Sequence, residues 1–120
     1  MATKKEKEVK QLAPVEFTDA DGNRLVLWFT RATILKMDRE HWNVNAIQEQ
    51  FEQEQIQPII KLVWYGLWAN KPNVTMEEAE ELVFAVGLET TSELATDMYM
   101  YTFDTLRQGD GKNAKWTMVK

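Results

Sequence analysis

Cysteine is absent from the 120 residues. Its absence excludes a disulfide framework, a thiolate metal site and a cysteine nucleophile, and leaves the redox compartment unmarked. Histidine is almost as scarce: His41, beside Trp42, is the only one. A lone histidine near the end of a helical segment reads as a cap or surface residue, and no serine stands near it in sequence to suggest a triad. The five glycines fall in no phosphate-loop spacing. No apolar run approaches the ~20 residues needed to cross a bilayer. Met1 to Lys10 is charged where a secretory signal would be apolar. These absences point to a cytosolic chain that spans no membrane.

Basic residues are also in deficit, with a formal net charge of −5. Lys4, Lys5, Lys7 and Lys10 outweigh Glu6 and Glu8 near the start, and Lys112, Lys115 and Lys120 outweigh Asp110 near the end, so the acidic excess lies between. An acidic body with weakly basic ends is poorly suited to nucleic acid, where affinity comes from neutralising phosphates. Two acidic clusters invite a metal reading, and neither supports it. Asp19–Ala20–Asp21–Gly22 begins like a calcium loop, but aligning Gly22 with the required glycine puts Trp28 where the bidentate glutamate must stand. Glu77, Glu78, Glu80 and Glu81 lack the histidine that accompanies carboxylates in di-iron bundles. The chain is therefore read as a non-enzyme without metal, cofactor or small-molecule substrate.

An apolar fraction of 44% and a charged fraction of 28% are those of a soluble globular domain, and the length suffices for one modest core. The pattern predicts an α+β fold, mainly α with an N-terminal β-hairpin, its four to five helices packed as a small single-core bundle. Residues 1–13 read as a flexible tail, 14–109 as one globular domain, and 110–120 as a second flexible tail carrying Trp116. The hairpin spans 15–29, turning at Asp21–Gly22, because glycine accepts the positive φ of a tight turn. Its first strand alternates, whereas Arg24 to Phe29 is apolar on both faces, with Leu25, Leu27 and Phe29 on one and Val26 and Trp28 on the other.

Helices are predicted at about 31–41, 46–54, 57–69, 76–86 and 92–107. Thr30 caps the first, whose Ile34, Leu35 and Met37 face inward. Asn45 with Gln48 opens the second as a capping box, and Pro58 suits the first turn of the third. Thr75 with Glu78 boxes the fourth, Gly87 ends it, and Thr91 caps the fifth.

The third helix is apolar nearly all round, carrying Ile59, Ile60, Leu62, Val63, Trp64, Tyr65, Leu67 and Trp68. It reads either as a central core helix or as one with a face left over for a partner. The fifth carries two apolar stripes, Leu94, Met98 and Tyr101, then Tyr99, Phe103 and Leu106, with Met100 beside them. A core of this size is not expected to bury all of these together with Trp28, Trp42 and Trp116. Surplus aromatic and methionine surface marks protein binding or self-association. The candidate protein-binding residues are Trp28, Trp64, Trp68, Met98, Met100 and Tyr101, each of which could instead be core.

Phe17–Thr18–Asp19–Ala20–Asp21–Gly22 followed by Leu25 to Thr30 resembles the opening of tail assembly chaperones of long-tailed, siphovirus-type bacteriophages. So does Leu62–Val63–Trp64–Tyr65–Gly66–Leu67 followed, after a short proline loop, by Thr75–Met76–Glu77–Glu78–Ala79–Glu80–Glu81–Leu82–Val83. The resemblance covers about residues 15–107 in order and character. It implies a protein that binds the tape measure protein and helps tail tube subunits assemble around it, in the host cytoplasm and absent from the mature virion. The family offers no catalytic residues to transfer. Many of its members are made in two lengths by a programmed frameshift, and Gly111–Lys112–Asn113 can be encoded with a slippery A-AAA-AAC run. Another small phage structural or connector protein and a helical regulator remain the alternatives.

Overall fold

The hairpin turn is organised by one carboxylate. Asp19 Oδ1 accepts the backbone N–H groups of Asp21 at 2.9 Å and Asn23 at 2.8 Å, while Oδ2 accepts the Asn23 side-chain amide at 2.9 Å. Strands β1 (Val15–Thr18) and β2 (Arg24–Leu27) run antiparallel on either side, with Val15 opposite Leu27 and Phe17 opposite Leu25. The computed structural model describes residues 12–109. Most of the first expected tail, all of the second, the Gly111–Lys112–Asn113 stretch and Trp116 lie outside that range.

Five helices follow: α1 (Arg31–Arg39), α2 (Val44–Gln53), α3 (Gln57–Trp68), α4 (Met76–Val86) and α5 (Leu88–Gln108). The architecture is α+β, as expected. Thr30 and Thr33 cap α1 reciprocally, and Thr75 and Glu78 cap α4, which stops at Gly87. Gly87, at φ 114°, closes α4 and opens α5 in a single residue, a backbone geometry that side chains disfavour.

Three helix boundaries differ from expectation by two residues or more. Asn43, not Asn45, caps α2, its Oδ1 accepting the Ala46 N–H at 3.0 Å. Helix α5 starts at Leu88 rather than near Ser92. Thr91 lies buried in its first turn, its hydroxyl bonded back to the Gly87 carbonyl at 2.8 Å. Helix α1 ends at Arg39 because His41 takes the left-handed conformation, at φ 64°. Trp42 N–H then reaches the Met37 carbonyl and His41 N–H the Asp38 carbonyl. This pair of bonds is the Schellman arrangement, and it satisfies carbonyls the helix would otherwise leave bare.

Helix α3 is the core helix, in contact with β2 and with every other helix. Ile59, Ile60, Leu62, Val63, Tyr65 and Leu67 are all buried. The burial is made possible at Gly66. A Cβ there would lie 2.5 Å from Leu27 Cδ1 and 2.9 Å from Phe29 Cε1. The strand expected to run to Phe29 leaves its ladder after Leu27, and the Trp28 N–H donates to the Gly66 carbonyl at 3.0 Å. One orphan carbonyl at the end of α3 is thereby satisfied. Phe29, next along, accepts the buried Thr102 hydroxyl of α5 at 2.8 Å on its carbonyl.

The inward face of α5 is not either of the two large apolar stripes. It runs through Thr91, Ala95, Met98, Tyr99 and Thr102, a line whose small members let α5 come close. Leu35, expected inside, is 48% exposed, one residue along from the Ile34–Met37 face.

In an open helix, replacing glycine by alanine gains about 1 kcal/mol. Here overpacking outweighs that gain, and Gly66→Ala is expected to cost about 1–2 kcal/mol net, lowering the melting temperature by about 5–10 °C. Thermal unfolding followed by circular dichroism checks this, and an unchanged or raised melting temperature contradicts the close approach.

Candidate protein-binding surface

The six candidate residues separate into three environments. Met98 is 1% exposed and belongs to the core, so it offers nothing to a partner in this conformation. Its spacing from Leu94 and Tyr101 did not reveal this, because the buried line of α5 groups Met98 with Ala95, Tyr99 and Thr102 rather than with those two.

Trp64 and Trp68, four residues apart on α3, are half-buried. The Trp64 indole N–H donates to the Val74 carbonyl at 3.0 Å, tying α3 to the loop before α4. Lys36 of α1 lays its ammonium 5.0 Å from the Trp68 ring centre and 5.8 Å from that of Trp64. A cation over an aromatic face contributes about 0.5–1 kcal/mol at an exposed site. These rings are thus partly covered by the protein's own lysine.

Trp28 and Tyr101 form the third environment, with ring centres 6.0 Å apart and planes tilted by 50°. Trp28 is half-buried, Tyr101 is 48% exposed, and Met100 beside it is half-buried. The reason lies in the backbone: with the Trp28 N–H turned to Gly66 and its neighbours Leu27 and Phe29 inside, its side chain leaves the core and meets α5. Of the candidates, Tyr101 is the one that stands exposed rather than buried or half-buried.

Other exposed residues escaped the spacing argument. Phe84 is 54% exposed, and Met76 is also on the surface. Met76, Glu80 and Phe84 stand four apart, hence on one line of α4. The wheel of that helix would have shown it, since Ala79, Leu82 and Val83 claim the opposite side.

Beside Lys36 runs a polar seam joining α1, α2 and α3. Glu40 accepts Lys36 Nζ at 2.7 Å and also the Tyr65 hydroxyl. Trp42 stacks on Tyr65 with ring centres 5.6 Å apart, and its indole N–H donates to Gln50 Oε1 at 2.9 Å. Lys61 lies 4.6 Å from the Trp42 ring centre. The Lys36 hydrogen bond, then that from Tyr65, holds the Glu40 carboxyl below its ordinary value. Burial, then the bond to Glu40, pushes the Tyr65 phenol up.

Among the described residues every buried side-chain nitrogen and oxygen has a partner. No three His, Cys, Asp or Glu side chains among them are grouped as a metal site requires. No helix among them is long and apolar enough to cross a membrane. His41 stands exposed at the end of α1. Comparison with protein-family models, curated proteins and solved structures returns no match to the chain.

Two outcomes follow for stability. Met98→Ala is expected to cost about 2–5 kcal/mol, whereas Tyr101→Ala should stay within about 0.5 kcal/mol of the parent. Chemical denaturation of the two variants checks the contrast. Because Glu40 is depressed, its contribution is present above the ordinary value of 4.5 and is lost as pH falls below it. Glu40→Gln should therefore flatten the fall in melting temperature below pH 4.5, and an unchanged acid limb would remove Glu40 from the account.

Proposed function

We propose that the chain is a non-catalytic protein-binding module acting as a tail assembly chaperone of a long-tailed phage. In this reading it binds the tape measure protein in the cytoplasm of the bacterial host, helps tail tube subunits assemble around it, and is left out of the mature virion. Two things support the reading. The succession of hairpin, Trp–Tyr–Gly–Leu helix and boxed acidic helix resembles that family. The exposed Tyr101 against the half-buried Trp28 is the observation that carries the binding half of it, because aromatic surface left open to water is typical of contact sites.

The polar groups of the seam around Glu40 and Tyr65 are already engaged with one another, which favours structure over chemistry there. The connector alternative differs in one respect that can be read directly, since a connector stays in the particle.

Co-expression with the phage's tape measure protein tests the proposal. The expected result is that the tape measure protein, insoluble alone, becomes soluble and co-purifies with the chain, while mass spectrometry of purified virions does not detect it. A tape measure protein that stays insoluble without forming a complex overturns the chaperone reading, and the chain's presence in virions favours the connector.

A further inference from the structure

The apolar face of the hairpin extends beyond the core beneath it. Leu27 and Phe29 are fully buried, whereas Phe17 and Leu25, opposite each other near the turn, are only half-buried. Next to them lies a cleft of about 510 Å³ between the hairpin and α4. Phe17, Leu25, Leu82 and Val86 supply its apolar lining, with the exposed Ala85 at its edge. Asp19, Glu78 and Glu81 also line it, and the one lysine there, Lys71, is paired with Glu78.

The surroundings reinforce that sign. From Pro72 to Leu106 the chain has no lysine or arginine, while Glu77, Glu80 and Glu81 lie exposed on α4, one wall of the cleft. On the hairpin side Arg24 is paired with Glu16 at 2.8 Å. An acidic rim of this kind repels nucleic acid, anionic lipid and a second copy of the same face. It attracts cations, and the apolar lining rewards burial of a large side chain.

We propose that the cleft between the hairpin and α4 docks a basic amphipathic segment of a partner protein, with a large apolar side chain entering between Phe17 and Leu82 and lysines or arginines meeting Asp19 and Glu81. The proposal rests on the protein-binding reading above and supplies the chemistry of the bound segment.

Isothermal titration of the full chain with a synthetic amphipathic peptide of lysine and leucine tests it, beside a counterpart with glutamate in place of lysine. Glu81→Lys reverses the rim charge and Ala85→Trp fills the cleft. Both positions are exposed, so melting temperatures should be kept. The lysine peptide should bind, the glutamate peptide should not, and each variant should weaken binding about tenfold or more. The proposal is overturned if the lysine peptide fails to bind, or if it binds both variants as well as the parent, which would mean general attraction to an acidic surface. It is equally overturned if binding requires replacement of Lys4, Lys5, Lys7 and Lys10 by Gln, which would assign the cleft to the chain's own start. Tape measure solubility separates the two readings: rescue by the parent and by both variants keeps the chaperone and removes the cleft. Peptide binding at the cleft without rescue does the reverse.

Discussion

At Gly66 two stretches of backbone come closer than any side chain would permit. Leu27 and Phe29 occupy the space a Cβ would need, and the Trp28 N–H between them reaches the Gly66 carbonyl. An isolated two-stranded hairpin is marginal in water at best, so β1 and β2 depend on this junction for their place. The dependence runs onward along the chain. Phe29 receives the Thr102 hydroxyl of α5, and Thr30 immediately caps α1. Hairpin, α3, α5 and the start of α1 are thus fixed relative to one another within a few consecutive residues.

The same junction decides what reaches the surface. Turning Leu27 and Phe29 inward leaves Trp28 to lie against Tyr101 outside the core. The hairpin's outer end, with Phe17 and Leu25, overhangs α4 and leaves the cleft there. Elsewhere the protein covers its own aromatics: Lys36 sits over Trp64 and Trp68, and Trp42 is stacked on Tyr65 and buried. The open apolar surface is therefore smaller than the apolar content of α3 and α5 suggests: Tyr101 stands open beside Trp28, Met76 and Phe84 on α4, and Leu35, Ile56 and Leu106 singly elsewhere.

Local signals in the amino-acid order were legible where the chemistry is local. Helix α4 matches its expected bounds because both ends carry a side-chain or glycine cap within a few residues. The Asp19–Gly22 turn and the Thr30 cap were readable for the same reason. Helix α2 was displaced by two residues because Asn43 and Asn45 are both competent caps, and only the bond to Ala46 distinguishes them. Helix α5 began early because Gly87 serves two helices, which made Thr91 a buried member of a turn rather than a cap.

The candidate site was less legible, since which side chains remain open depends on contacts far apart in sequence. Met98 was indistinguishable from a surface methionine until Ala95 and Thr102 defined the buried line of α5. The covering of Trp64 and Trp68 by a lysine from α1 has no signature in α3 itself.

Native-state hydrogen exchange at the Trp28 amide tests the central junction most directly. That amide lies outside the strand ladder and donates to the Gly66 carbonyl. If the junction organises the fold, it should exchange as slowly as the α3 amides, through near-global unfolding. Exchange as fast as that of the exposed turn at Ala20 would contradict the account.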